Sequence, residues 1–166
     1  MELAEARKQF VAAWGSFGSN WGINRTMAQI HALLLVTARP LAADEIMQEL
    51  TISRGNANMN IRELINWGLV ERVVVSGERR EFFSAEKDIW KVARIIVRER
   101  KKRELEPMMR FLDSISQVEG TDADAATFEK TISDIRRFAQ QADQAMETML
   151  KADENWLVGT LLKLMR

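Results

Sequence analysis

The chain has 166 residues, of which 46% are hydrophobic and 29% charged, a balance that fits one folded domain, or one small domain with helical extensions. It has no cysteine and a single histidine, His31, which excludes disulfides, thiolate chemistry and an imidazole cluster for a transition metal. A formal net charge of zero conceals an asymmetry: residues 24–103 carry 15 Lys or Arg against 10 Asp or Glu, and residues 104–166 carry 7 against 12. A basic half hints at nucleic acid, although a charge run more often marks a solvated helix face.

No targeting or membrane segment is expected. Glu2, Glu5, Arg7 and Lys8 occupy the start of the chain, and the apolar run Ala32 to Val36 is far below a membrane span. A cytoplasmic protein follows as the expectation.

Met1 to about Ser19 reads as an amphipathic helix, with Leu3, Phe10, Trp14, Phe17 and Trp21 on one stripe. Gly15, Gly18 and Gly22 then read as loosening it. Asn24 suits the N-cap of a second helix through Ile30, Leu33 and Leu34, which stops before Pro40. Two short helices follow. Leu41 to Leu50 carries Ile46 and Leu50 on one face, Thr51-Ile52 is the turn, and Ser53 caps a helix to about Trp67. Ala57, Ile61, Leu64 and Ile65 form the inner face of that last helix, and Gly68 ends it. Val70 to Val75 and Arg80 to Ser84 read as a β-hairpin around Ser76-Gly77-Glu78.

The remainder reads as helix. Asp88 starts a long segment carrying the basic run Arg98 to Arg103, a run more often solvated than bound. Pro107 predicts a kink or break near Arg103. The helix resumes through Met108, Leu112 and Ile115 to Gly120, and Thr121 with Asp124 approximates a capping box. Phe128, Ile132, Ile135, Ala139, Ala142, Met146 and Met149 alternate in steps of four and three, a coiled-coil-like seam. An apolar segment, Trp156 to Met165, finishes the chain. The expected fold is mainly α with one small β-hairpin. Residues 1–23 form an N-terminal dimerisation helix, 24–87 a winged helix-turn-helix core, and 88–166 long helices for dimerisation.

In such a core the second helix of the pair enters the DNA major groove with its N-terminal residues at base edges. Here that helix begins Ser53-Arg54-Gly55-Asn56, with Met59, Arg62, Glu63 and Asn66 also directed outward and Asn58 and Asn60 flanking that face. Three asparagines are poor helix formers, so propensity does not account for them, whereas Asn reads adenine and Arg reads guanine through paired hydrogen bonds. Gly55 holds nothing between backbone and duplex. Arg79 and Arg80 at the hairpin tip suit phosphates or a narrow minor groove. The bland alternatives are a solvated helix face and a solubilising turn.

The runs Ser53-Arg54-Gly55-Asn56, Met59-Asn60-Ile61-Arg62-Glu63-Leu64 and Trp67-Gly68-Leu69-Val70, followed by Glu78-Arg79-Arg80, resemble the GbsR branch of the MarR-type transcriptional regulators. The resemblance runs from about Trp21 to Pro107. It implies a homodimer with intertwined terminal helices and two wings over a pseudo-palindromic duplex site, a reading that the apolar stripe and seam support separately. It also implies control by a choline- or betaine-type effector. A quaternary ammonium needs an aromatic cage, for which Trp14, Phe17, Trp21 and Trp90 are candidates, although aromatic core filler is the plainer reading of the same residues. His31 reads as a hydrogen-bonded, partly buried residue. No cofactor, metal or catalytic residue is expected. The expected function is a sequence-specific, ligand-responsive repressor; the alternative is a winged-helix protein-interaction module without DNA binding.

Overall fold

The computed structural model describes residues 1–120 and 122–151. The Trp156–Met165 segment and Thr121 lie outside the described residues. The chain divides into two compact units, Met1–Val92 and Ala93–Arg166.

The first unit begins with α1 (Leu3–Asn20), which packs along α2 (Arg25–Val36). The face that α1 turns inward carries Val11 and Gly15, both buried, rather than the aromatic stripe. Gly15 and Gly18 do not loosen the helix, as their residue type suggested. They let it approach α2: a Cβ on Gly15 would lie 2.6 Å from Gln29 Cγ, and one on Gly18 2.6 Å from Ala28 Cβ. The stripe is displaced to the side, with Leu3, Phe17 and Trp21 exposed and Phe10 stacked at a tilt on Trp14, 5.3 Å between ring centres.

Asn24 caps α2 as expected, its side chain accepting from the Met27 amide at 3.1 Å. Ile30, Leu33 and Leu34 are buried from this helix, Ile46 from α3 (Ala43–Leu50), and Ala57, Ile61 and Leu64 from α4 (Arg54–Trp67). These make the core of a three-helix cluster. Glu45 closes the first turn of α3 by accepting from the Ala42 amide at 2.8 Å. Its carboxyl is held below the usual range, first by the hydrogen bond from Arg39 and then by that amide.

The sheet has three strands, not two. β2 (Val70–Val73) and β3 (Phe82–Ala85) form the expected hairpin, and β1 (Leu41–Ala42) adds antiparallel to the other edge of β3, pairing Leu41 with Phe83. Leu41 therefore belongs to a strand rather than to the start of α3. Lys87, just after β3, reaches back to the end of α2 and donates to the carbonyls of Leu34, Leu35 (3.0 Å) and Thr37 (2.7 Å). An ammonium there satisfies carbonyls that a helix end leaves without partners and meets the negative end of its dipole. Its own pKa is lowered by the partial burial this demands. Asp88 then caps α5 (Ile89–Arg100), accepting from the Trp90 amide at 2.9 Å.

In the second unit the continuation of α5 passes through a π-helical turn, Lys101–Leu105, into α6 (Glu106–Ser114). Pro107 has no amide to give and crowds the carbonyl four residues back, and the wider turn absorbs that conflict. α7 (Ala123–Lys151) is capped by Asp122, which accepts from the Ala125 amide at 2.8 Å. Ile132 and Ala139 of the α7 seam are buried together with Leu105 and Leu112, while Phe128, Ile135 and the neighbouring Phe138 are exposed. Lys101 ties the π-helical turn to α7 through Asp143 (3.1 Å) and Glu147, and Arg136 meets Asp113 at 2.6 Å. The seam is thus partly satisfied within the chain.

Candidate nucleic-acid interface

Two local signals set the angle between α3 and α4. Thr51 adopts a left-handed conformation (φ 54°), which ends α3, and the hydroxyl of Ser53 accepts from the Asn56 amide at 3.3 Å, which starts α4. Gly68 takes the left-handed position after α4 (φ 81°), a conformation that costs glycine little.

With Ala57, Ile61 and Leu64 buried, α4 presents Ser53, Arg54, Gly55, Asn58, Met59 and Arg62 to solvent. Met59 is 60% exposed, an apolar side chain in the middle of a polar face. A Cβ on Gly55 would meet nothing within 4 Å, so the fold itself places no demand for glycine there.

Asn60 corrects the expected face. It is only 3% exposed, and its amide nitrogen donates to the Asn56 carbonyl (2.9 Å) and to Asn56 Oδ1 (2.7 Å). Asn60 therefore holds Asn56 and cannot reach a duplex. Asn56 is half-buried and turned inward as well, its own amide nitrogen 3.4 Å from the Thr26 hydroxyl of α2. Glu63 is likewise engaged, accepting from the Trp67 indole at 2.9 Å. Of the expected outward residues, Ser53, Arg54, Gly55, Asn58, Met59, Arg62 and Asn66 are exposed, with Asn56 at the inner edge of the set.

At the hairpin tip Gly77 is left-handed (φ 83°), and the turn is closed by the Glu78 amide on the Val75 carbonyl at 3.1 Å. Arg79 and Arg80 differ. Arg79 is exposed, whereas Arg80 bonds Glu78 through Nε (3.3 Å) and Asp44 of α3 through Nη1 (3.2 Å), and lies over the Phe82 ring at 5.3 Å. Its pKa is raised, chiefly by the Glu78 hydrogen bond. Thr26 and Asp44 were not legible as parts of this surface, because each enters it through a contact 30 or more residues away in sequence.

The candidate effector aromatics differ in exposure. Trp14 is half-buried against Phe10, Phe17 and Trp21 are 59% and 69% exposed, and Trp90 is half-buried at the start of α5. Among the described residues no cluster of three metal-ligating side chains occurs, and no helix is long and apolar enough to cross a membrane.

A helix pair joined by a tight turn, a supporting first helix, and a hairpin edged by a short third strand define a winged helix-turn-helix fold. Residues 21–81 match the family model described as the MarR family. Over 76 residues the chain is 30% identical to the HTH-type transcriptional regulator MmpR5 of Mycobacterium tuberculosis (strain ATCC 25618 / H37Rv). That alignment covers 45% of this chain and 46% of the relative, so the chain spans about half the length of the curated protein it matches. A crystal structure described as that of a transcriptional regulator shares the fold, with a TM-score of 0.66 over 87% of this chain and 95% of that one, at 21% identity.

Proposed function

We propose that the protein is a sequence-specific, double-stranded-DNA-binding transcriptional regulator that acts as a cytoplasmic homodimer and represses by occupying its operator. The observation that carries this reading is the outer face of α4. Arg54, Asn58, Met59 and Arg62 project beside a Gly55 that the fold does not require, and the exposed Arg79 stands at the tip of the neighbouring hairpin. Arg and Asn are the side chains that read base edges through paired hydrogen bonds, and a thioether or methyl suits the thymine methyl. The MarR-type match over residues 21–81 agrees with it. The Ser53-Arg54-Gly55-Asn56 and Met59-Asn60 elements favour the GbsR branch within that family.

Exposed apolar residues support the dimer. Leu3 and Phe17 on α1 with Trp21 just after it, and Phe128, Ile135 and Phe138 on α7, leave two apolar surfaces that a second copy would cover. The effector reading rests on the same aromatic residues, Trp14, Phe17, Trp21 and Trp90. Choline titrated against tryptophan fluorescence tests it, since a quaternary ammonium stacked on an indole shifts its emission.

Fluorescence anisotropy against labelled duplexes tests the main reading. Arg79→Ala is expected to weaken binding to all sequences and to reduce the slope of log affinity against log salt by about 0.9. Asn58→Ala is expected to reduce the preference for operator over random duplex by about 1–3 kcal/mol. A wild-type chain that binds no duplex at moderate salt would leave the alternative, a winged-helix module that pairs only with protein.

A further inference from the structure

Between the first turns of α3 and α4 and the wing lies an open cleft of about 350 Å³, bordered by Asp44, Arg54, Asn58, Arg80 and Glu81. It contains two carboxylates on a surface otherwise suited to a polyanion. Glu81 is taken up by Arg72 at 3.2 Å, but Asp44 points across the cleft to Arg80. The guanidinium of Arg80 is divided between two acidic partners: Nε and Nη2 face Glu78 at 3.3 and 3.4 Å, and Nη1 faces Asp44 at 3.2 Å. Both Arg80 and Asp44 are about half exposed or more, at 49% and 62%, so the pair is open to exchange.

Resting on the DNA-binding reading above, we infer that Asp44 is an internal competitor for the DNA backbone: its carboxylate holds the edge of Arg80 that a phosphate would otherwise take. Carboxylate and phosphate oxygens satisfy the same guanidinium donors, and an exposed ion pair is weak enough to be displaced. Asp44 also sits in the first turn of α3, where the helix dipole favours the negative charge and keeps it in place. Binding therefore requires Arg80 to leave Asp44, and Asp44 then faces the phosphate that replaces it. The effect is sequence-independent, because every duplex offers the same phosphates. Asp44 lowers affinity for DNA in general and leaves discrimination to the α4 face.

The test is anisotropy with a random-sequence duplex for the wild type, Asp44→Asn, Arg80→Ala and the double variant, with circular dichroism to confirm that each is folded. Asp44→Ser serves as a second neutral replacement. Asp44→Asn and Asp44→Ser are expected to tighten binding by about two- to fivefold, the scale of an exposed ion pair. The gain is expected to vanish when Arg80 is already alanine. Unchanged or weakened binding in the neutral variants, with the wild type binding normally, overturns the inference alone. An equal gain in both backgrounds also overturns it, because the carboxylate would then act through space and not through Arg80. Failure of the wild type to bind any duplex overturns the DNA-binding reading and this inference together.

Discussion

His31 makes the first unit acid-sensitive in a way that one side chain can report. It is 3% exposed in α2 among Ile30, Ala32, Leu33 and Leu34, its Nε2 is buried without a hydrogen-bond partner, and its pKa is lowered to about 4, first by burial and then by the charge of Lys87. In the unfolded chain the imidazole returns to its ordinary value of 6.5, so acid protonates the unfolded state first. Stability is therefore fully present above pH 6.5 and is lost progressively as the pH falls towards about 4. At about 1.4 kcal/mol per pH unit, the loss from this residue between pH 7 and pH 5 comes to about 2 kcal/mol. Urea unfolding at both pH values, on the wild type and on His31→Gln, isolates it, because this is the chain's sole histidine. The wild type is expected to lose about 2 kcal/mol more than the variant over that interval. An imidazole that titrates near 6.5 by NMR in the folded protein, or an identical loss in His31→Gln, would refute the reasoning.

Other perturbations separate packing from function. Lys87→Met removes the ammonium from the three carbonyls at the end of α2 and is expected to cost about 1–2 kcal/mol by urea unfolding, while raising the pKa of His31. Gly18→Ala drives a methyl to 2.6 Å from Ala28 Cβ and is expected to destabilise the first unit by about 1–3 kcal/mol, read as a lower urea midpoint. Asn60→Ala, which removes both hydrogen bonds to Asn56, is expected to cost about 1–2 kcal/mol by the same assay. Gly55→Ala should divide the two properties. It meets nothing within 4 Å and gains up to about 1 kcal/mol in helix propensity, yet it is expected to weaken DNA binding by placing a methyl on the reading face.

Local chemistry carried the capping signals. Asn24, Ser53 and Gly68 stand where their side chains or backbone freedom required, and the hairpin followed from its β-branched strand and glycine turn. What escaped depends on contacts between distant segments. β1 is two residues long and exists only because Phe82 and Phe83, about forty residues on, supply a strand edge. Gly15 and Gly18 look like helix breakers until α2 is placed against them. Asn60 is a different case. Its helical angle lies only about 40° from that of the buried Leu64, so its burial was available from periodicity, but its polarity suggested the outer face. The division of labour between Arg79 and Arg80 needed Asp44, which no spacing rule connects to the wing.

The central claim is that the α4 face reads DNA. Selection of binding sites by the purified protein from sheared genomic fragments, sequenced after recovery at moderate salt, tests it most directly. The expected result is enrichment of a near-palindromic site whose half-sites are about one helical turn, ~34 Å, apart, lost in an Arg54→Ala/Asn58→Ala variant that remains folded. Recovery of no preferred sequence, or the same enrichment with the variant, would contradict it.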